Sequence, residues 1–167
     1  MEIEHIAESL RQSLAGDPWH GPSLGALLAD VTPGDAAAHP VTGAHSLIEI
    51  VLHLAAWTRE VGSRLRGEPP GAPAAGDWPA CAGDAESAWA AARRSLDEAH
   101  SDLLQLVQRL PAGRLSERIG ESREPALGTG VTVAAMLAGL AQHDAYHGGQ
   151  IAILKRALVA QRADDIH

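Results

Sequence analysis

The chain has 167 residues and a formal net charge of −8; 46% of it is hydrophobic, with no Phe, one Tyr and four Trp. That length fits one domain, residues 1–167, able to bury roughly two thirds or more of its unfolded surface. The acidic balance argues against nucleic acid as a partner, because cations pair only at Arg93-Arg94 and Lys155-Arg156, and no apolar run approaches the roughly 20 residues that span a bilayer. Ala and Leu are prominent while aromatic and β-branched residues are sparse, so an all-α fold is expected.

Residues 2–14 place Ile3, Ile6, Leu10 and Leu14 at helical spacing. The amino-terminal sequence is acidic and amphipathic, unlike a secretory signal, and a cytoplasmic protein is the expectation. Gly16-Asp17-Pro18 breaks the helix, and Ser23–Ala29 resumes it, giving a broken first helix along one side of a bundle. His20 lies at the break, either as a turn residue or near the mouth of a site. One short helical turn is expected over Asp35–His39. Ser46-Leu47-Ile48-Glu49 fits a capping box, and the helix it opens runs to about Arg66, where Gly67 ends it and Pro69-Pro70 prevents resumption. Its apolar face carries Leu47, Ile50, Val51, Leu54, Trp57, Val61 and Leu65, with His53 among them.

Residues 67–83 are rich in Gly, Pro and Ala. So long an irregular stretch in a compact domain is functional or disordered; Trp78 gives it an anchor, and an ordered flap packed back onto the helices is expected. Cys81, the single cysteine, lies in this loop. It excludes an internal disulfide, and without a basic neighbour to lower its pKa it reads as incidental rather than reactive. Asp84 is placed to cap a helix to Leu110, striped with Trp89, Leu96, Leu103, Leu106 and Val107. Residues 112–130 form an irregular connection with room for a short edge element. The last helix starts near Thr129 or Thr132 and ends near Val159, with a frayed tail over 161–167. Gly148-Gly149 inside it costs about 1 kcal/mol per glycine relative to Ala, which suggests a close approach of another backbone.

Met136, Leu140, His143, His147, Gln150 and Leu154 recur in steps of three and four and trace one inward seam. His143 and His147 interrupt that seam, one turn apart, so both imidazoles can reach a single ion. His53 on the facing helix supplies a third. The other histidines need no function: His5, His39, His100 and His167 read as surface residues and His45 as a cap or surface residue. Asp144 either orients an imidazole or is a solvated helix charge. Gln150 faces the cavity or bonds across the bundle. Trp57 lines the core, Glu49 serves the capping box, and Tyr146 points away from the seam. There is no HExxH, phosphate-binding glycine loop or GxSxG.

Trp19-His20-Gly21-Pro22-Ser23-Leu24, the run from His45 through Trp57, Gly76-Asp77-Trp78-Pro79 and the run from Gln142 through Ile151 together resemble the DinB-like family. These are damage-inducible four-helix metal proteins that include YfiT-like members. The resemblance implies an antiparallel four-helix bundle with one crossover connection, a homodimer, and a divalent metal such as zinc or nickel on His53, His143 and His147. It also implies a low-molecular-weight-thiol-dependent S-transferase or isomerase among the characterised relatives. Three readings follow. The first is a metal-dependent enzyme on a small-molecule substrate, either a thiol transferase or a hydrolase. The second is a non-catalytic metal-binding, stress-related protein. The third is a plain bundle with three core histidines. No catalytic residue beyond the metal ligands is identified.

Overall fold

In the computed structural model residues 3–164 are described, and they are mostly helical. The broken first helix appears as α1 (Ile3–Ala15) and α2 (Leu24–Leu28). Ser23 caps α2, its Oγ accepting the Ala26 N–H at 3.4 Å. The short turn expected at Asp35–His39 forms earlier, as α3 (Pro33–Ala37). Thr32 fixes that start, because its Oγ1 accepts the Asp35 N–H at 3.2 Å while Pro33 occupies the first helical position.

The second long helix, α4 (Leu47–Leu65), opens on the expected capping box. The Ser46 N–H donates to Glu49 Oε2 at 2.7 Å, and the Glu49 N–H donates to Ser46 Oγ at 3.3 Å. It closes on Gly67 at φ +93°. The Gly67 N–H donates to the Arg64 carbonyl and the Glu68 N–H to the Ser63 carbonyl, at 3.0 and 3.2 Å, a Schellman ending that needs a left-handed residue. Asp84 caps α5 (Ala85–Gln108) by accepting from the Glu86 and Ser87 N–H groups at 3.0 Å each.

The connection after α5 contains the expected edge element. Strand β1 (Arg118–Ile119) pairs antiparallel with β2 (Val131–Thr132), Ile119 opposite Val131, with one short 3₁₀ turn before β1 at Ala112–Ser116 and another between the strands at Pro125–Leu127. The final helix, α6 (Val133–Asp164), outruns the expected end at Val159. Its last turns have partners: Gln161 Nε2 donates to the Pro40 carbonyl at 2.9 Å, and Arg162 pairs with Asp35. Helical pattern alone does not reveal such long-range ties. Glu2 and the tail residues 165–167 lie outside the described residues.

Two buried clusters form the interior. One joins Leu24 and Leu28 to Leu47, Ile50 and Leu54 of α4, Trp89, Ala92 and Leu96 of α5, and Ile151 and Leu154 of α6. The other joins Ile6 and Leu10 of α1 to Val61 and Leu65 of α4, Leu103 and Val107 of α5, and Met136, Leu137 and Leu140 of α6. His143 and His147 fall between the two clusters in chain position on α6, and His53 lies within the first cluster's stretch of α4. The glycine pair of α6 does not meet another backbone. A Cβ on Gly148 would lie 3.4 Å from Leu27 Cδ1, a side-chain contact, and one on Gly149 would meet nothing within 4 Å. No helix among the described residues is long and apolar enough to cross a membrane.

Candidate metal centre

The expected residues are brought together. His53 on α4 and His147 on α6 are buried, and His143 is half-buried. Their Nε2 atoms converge: His143 Nε2 lies 3.0 Å from His53 Nε2 and 3.1 Å from His147 Nε2. The opposite nitrogens of two rings are fixed. His53 Nδ1–H donates to the Asp77 carbonyl at 2.6 Å, and His147 Nδ1–H donates to Gln150 Oε1 at 2.7 Å. A neutral imidazole with its proton on Nδ1 presents a lone pair at Nε2. Two such lone pairs therefore face the His143 nitrogen at close range. One proton on His143 can relieve only part of that repulsion, whereas one cation satisfies all three nitrogens, and the donor set fits a divalent transition metal.

Burial, with the neighbouring His147 and His53 adding to it, lowers the His143 pKa to about 4. Burial also lowers that of His147, against the opposing bond to Gln150. Both rings are therefore neutral at pH 7, as metal ligation requires.

The flap expected at 67–83 is ordered and carries much of the site. Trp78 stacks on His53 with centroids 4.1 Å apart, and His45 stacks on the other face of the indole at 3.5 Å. Asp77 adds a second tie, its Oδ1 accepting the Trp57 indole N–H at 2.7 Å. The flap's first turn is anchored separately. Arg64 is 3% exposed, and its Nη2 donates to the Gly71 carbonyl while Glu60 Oε1 accepts both the Gly71 N–H and Arg64 Nε–H.

Several assignments change. His100 is fully buried, not at the surface; it continues the α5 stripe Leu96, Leu103 and Val107, a spacing that could have placed it inside. Asp144, 1% exposed, is neither solvated nor turned to an imidazole of the cluster. Its Oδ2 accepts from Ser13 Oγ at 2.7 Å and lies 3.6 Å from His100 Nε2. Gln150 turns to His147 rather than across to another helix. Glu49 caps α4 as expected and also meets His39 at 3.1 Å. Tyr146 is 65% exposed but stands edge-on to His147 with centroids 5.0 Å apart, at the wall of a cavity. Cys81 is exposed and His20 stays at the surface, and neither lines a cavity at the cluster. Asp77 escaped sequence reasoning because its contact with His53 uses a backbone carbonyl, which any residue type provides.

Two cavities flank the imidazoles, of about 490 and 600 Å³, and His53, His143 and Asp77 line both. A family model described as the DinB superfamily matches residues 21–151 of the chain. No curated protein and no solved structure matches it.

Proposed function

This chain belongs to the DinB superfamily, and on that footing we propose that it is a divalent-metal-dependent enzyme acting on a small molecule. The observation that carries the reading is the convergence of three Nε2 atoms, two of them fixed as lone-pair donors from behind. His53, His143 and His147 hold the ion, zinc or nickel by the chemistry of the donors. Three protein ligands leave room for a further ligand, and the two adjoining cavities give one access. Bound there, a divalent ion supplies Lewis acidity that makes a water or a thiol acidic near neutral pH.

The rest is done by the chain. The Asp77 carbonyl and Gln150 hold two rings in the ligating tautomer. Asp77 lines both cavities, its carboxylate 3.4 Å from His53 Nδ1, and is the carboxylate assigned to take the proton from a thiol or water. A low-molecular-weight-thiol S-transferase is the favoured version, because two cavities meeting at one centre suit a thiol and an electrophile, and Cys81 lines neither cavity. A hydrolase needs only one cavity.

The same reading makes the four long helices an antiparallel four-helix bundle with one crossover. It is supported by core membership: the early residues of α4 pack with the early residues of α5 and the late residues of α6, and its late residues do the reverse. Residues 66–84 then return along the bundle. A homodimer belongs to the reading too, with exposed Tyr146 and Ile153 on one face of α6 and sedimentation of the metal-loaded protein as its test.

Elemental analysis of untagged protein after gel filtration in chelator-free buffer tests the site. About one divalent ion per chain is expected, lost in both His53→Ala and His143→Ala. No ion in the wild type after reconstitution with zinc, nickel and manganese would leave a helical protein with three core histidines. An ion held with no access for an added thiol or inhibitor would favour a non-catalytic metal-binding role.

A further inference from the structure

The two cavities at the imidazole cluster differ in charge. The smaller, about 490 Å³, is lined by α4 residues that step away from His53 in chain order, namely Trp57, Val61 and Arg64, and by α6 residues that step back from His143, namely Leu140, Met136 and Ala135. At the helical rise these runs cover about 12–16 Å, so the cavity is a trough with the imidazoles at one end. Its volume lies within the range of small-molecule sites. The segment between β1 and β2 closes the other end, bringing Arg123 and Gly128 to the wall.

The two arginines of the trough are not equivalent. Arg64 is neutralised by Glu60 at 2.8 Å and also bound to Gly71. Arg123 makes a hydrogen bond through Nη1 to the Thr129 carbonyl at 3.3 Å, and among the described residues no carboxylate pairs with it. The loop fixes its backbone, while the residue itself is exposed. Gly130 sits at φ +71°, and a Cβ there would come within 2.6 Å of the Arg123 Cα. Thr129, 5% exposed, accepts the Glu124 N–H at 3.2 Å and donates to the Ser122 carbonyl at 2.9 Å, clamping both sides of Arg123. The other cavity has no Arg or Lys in its lining. Asp77, at the imidazole end, repels an anion from that end.

We propose that the trough binds a small carboxylate bearing an apolar chain. The carboxylate pairs with Arg123, and the chain lies along Trp57, Val61, Met136 and Leu140 with its far end at the imidazole cluster. The assignment of that far end as the reacting end rests on the metal-enzyme reading; the binding itself does not. It gives the substrate a polarity: charge at Arg123, an uncharged reactive group at the metal.

Octanoate and its neutral analogue octanamide are the probes, titrated into chelator-treated and zinc-loaded protein and followed through the Trp57 indole N–H resonance, assigned with Trp57→Phe. Octanoate is expected to bind about tenfold more tightly than octanamide in both forms. Arg123→Gln should bring the ratio to about one with unchanged Tm, and Arg123→Lys should retain most of it. Equal binding by the wild type, no binding of either probe, a preference unaltered in Arg123→Gln, or a preference seen only with zinc would each overturn the proposal. Zinc stoichiometry on the same samples separates the two readings. A preference in protein that takes up no zinc on loading sinks the metal centre alone, and one zinc per chain without a preference sinks the carboxylate site alone.

Discussion

Gln150 and the pair His100–Asp144 show how single side chains set the behaviour of this interior. Gln150 fixes the tautomer of His147 from behind, and groups in that position commonly tune metal affinity by 10–100-fold. Gln150→Leu keeps the volume and removes the acceptor, so zinc affinity should fall by about 10–100-fold with the fold intact, as read by competition with a chromogenic chelator. His100 and Asp144 act in opposite senses. Burial lowers His100 to about 4 and raises Asp144 to about 7, the latter against a bond from Ser13. His100 alone makes the folded state bind fewer protons than the unfolded state between about pH 4 and 6.5, so stability would rise with pH there. Asp144 alone makes it bind more protons between about 4 and 7, so stability would fall. Together they hold one proton in either state across most of that window, and the two slopes cancel. Asp144→Asn should therefore tilt the stability profile upward from pH 4 to 6.5 relative to wild type, and His100→Gln should tilt it downward from 4 to 7. Each slope is at most about 1.4 kcal/mol per pH unit, measured by urea unfolding with chelator present. A difference profile that stays flat in both variants would mean the pair is ionised inside. The three clustered histidines were legible in the sequence because they break an apolar seam. Asp144 was not, because a carboxylate at full burial with a Ser–His environment leaves no local pattern.

Among the elements, the helix starts and stops were legible wherever a side chain or a glycine makes them: Ser46 with Glu49, Asp84, and Gly67 all act as their types require. Where tertiary contacts decide, the sequence was silent, as at the end of α6, which partners from residues 35–40 extend. The β1–β2 segment shows the same division. Its glycines marked an irregular connection, but which glycine is indispensable depends on what passes beside it. Gly130 combines a left-handed φ with a backbone neighbour that cannot yield. Gly130→Ala should cost about 1–3 kcal/mol and displace the loop from the trough, lowering Tm and raising proteolysis between residues 118 and 132. Gly113 has open space around it and a negative φ, so Gly113→Ala is the control and should change Tm little.

For the molecule as a whole, the helical class was legible from composition and the family from four short runs of residues, and the model match over 21–151 agrees. The flap's architecture was legible only as an anchor, Trp78, because its other ties are backbone groups and one carboxylate. An ion bound by the folded state alone stabilises it by about 2.7 kcal/mol at a hundredfold excess over Kd. In a chain of this size that is a rise in Tm of about 5–10 °C. Zinc or nickel should produce it in the wild type by calorimetry, and neither should do so in His143→Ala. The layered rings His45, Trp78 and His53 bear on a different quantity, the clock of the site. One ligand ring is roofed by a segment outside the helices, and the same segment's Asp77 grips that ring from behind. On the metal-centre reading, residues 67–83 rather than the helices hold that ring against the ion, so lifting of this segment is expected to loosen the ion while the four long helices stay packed.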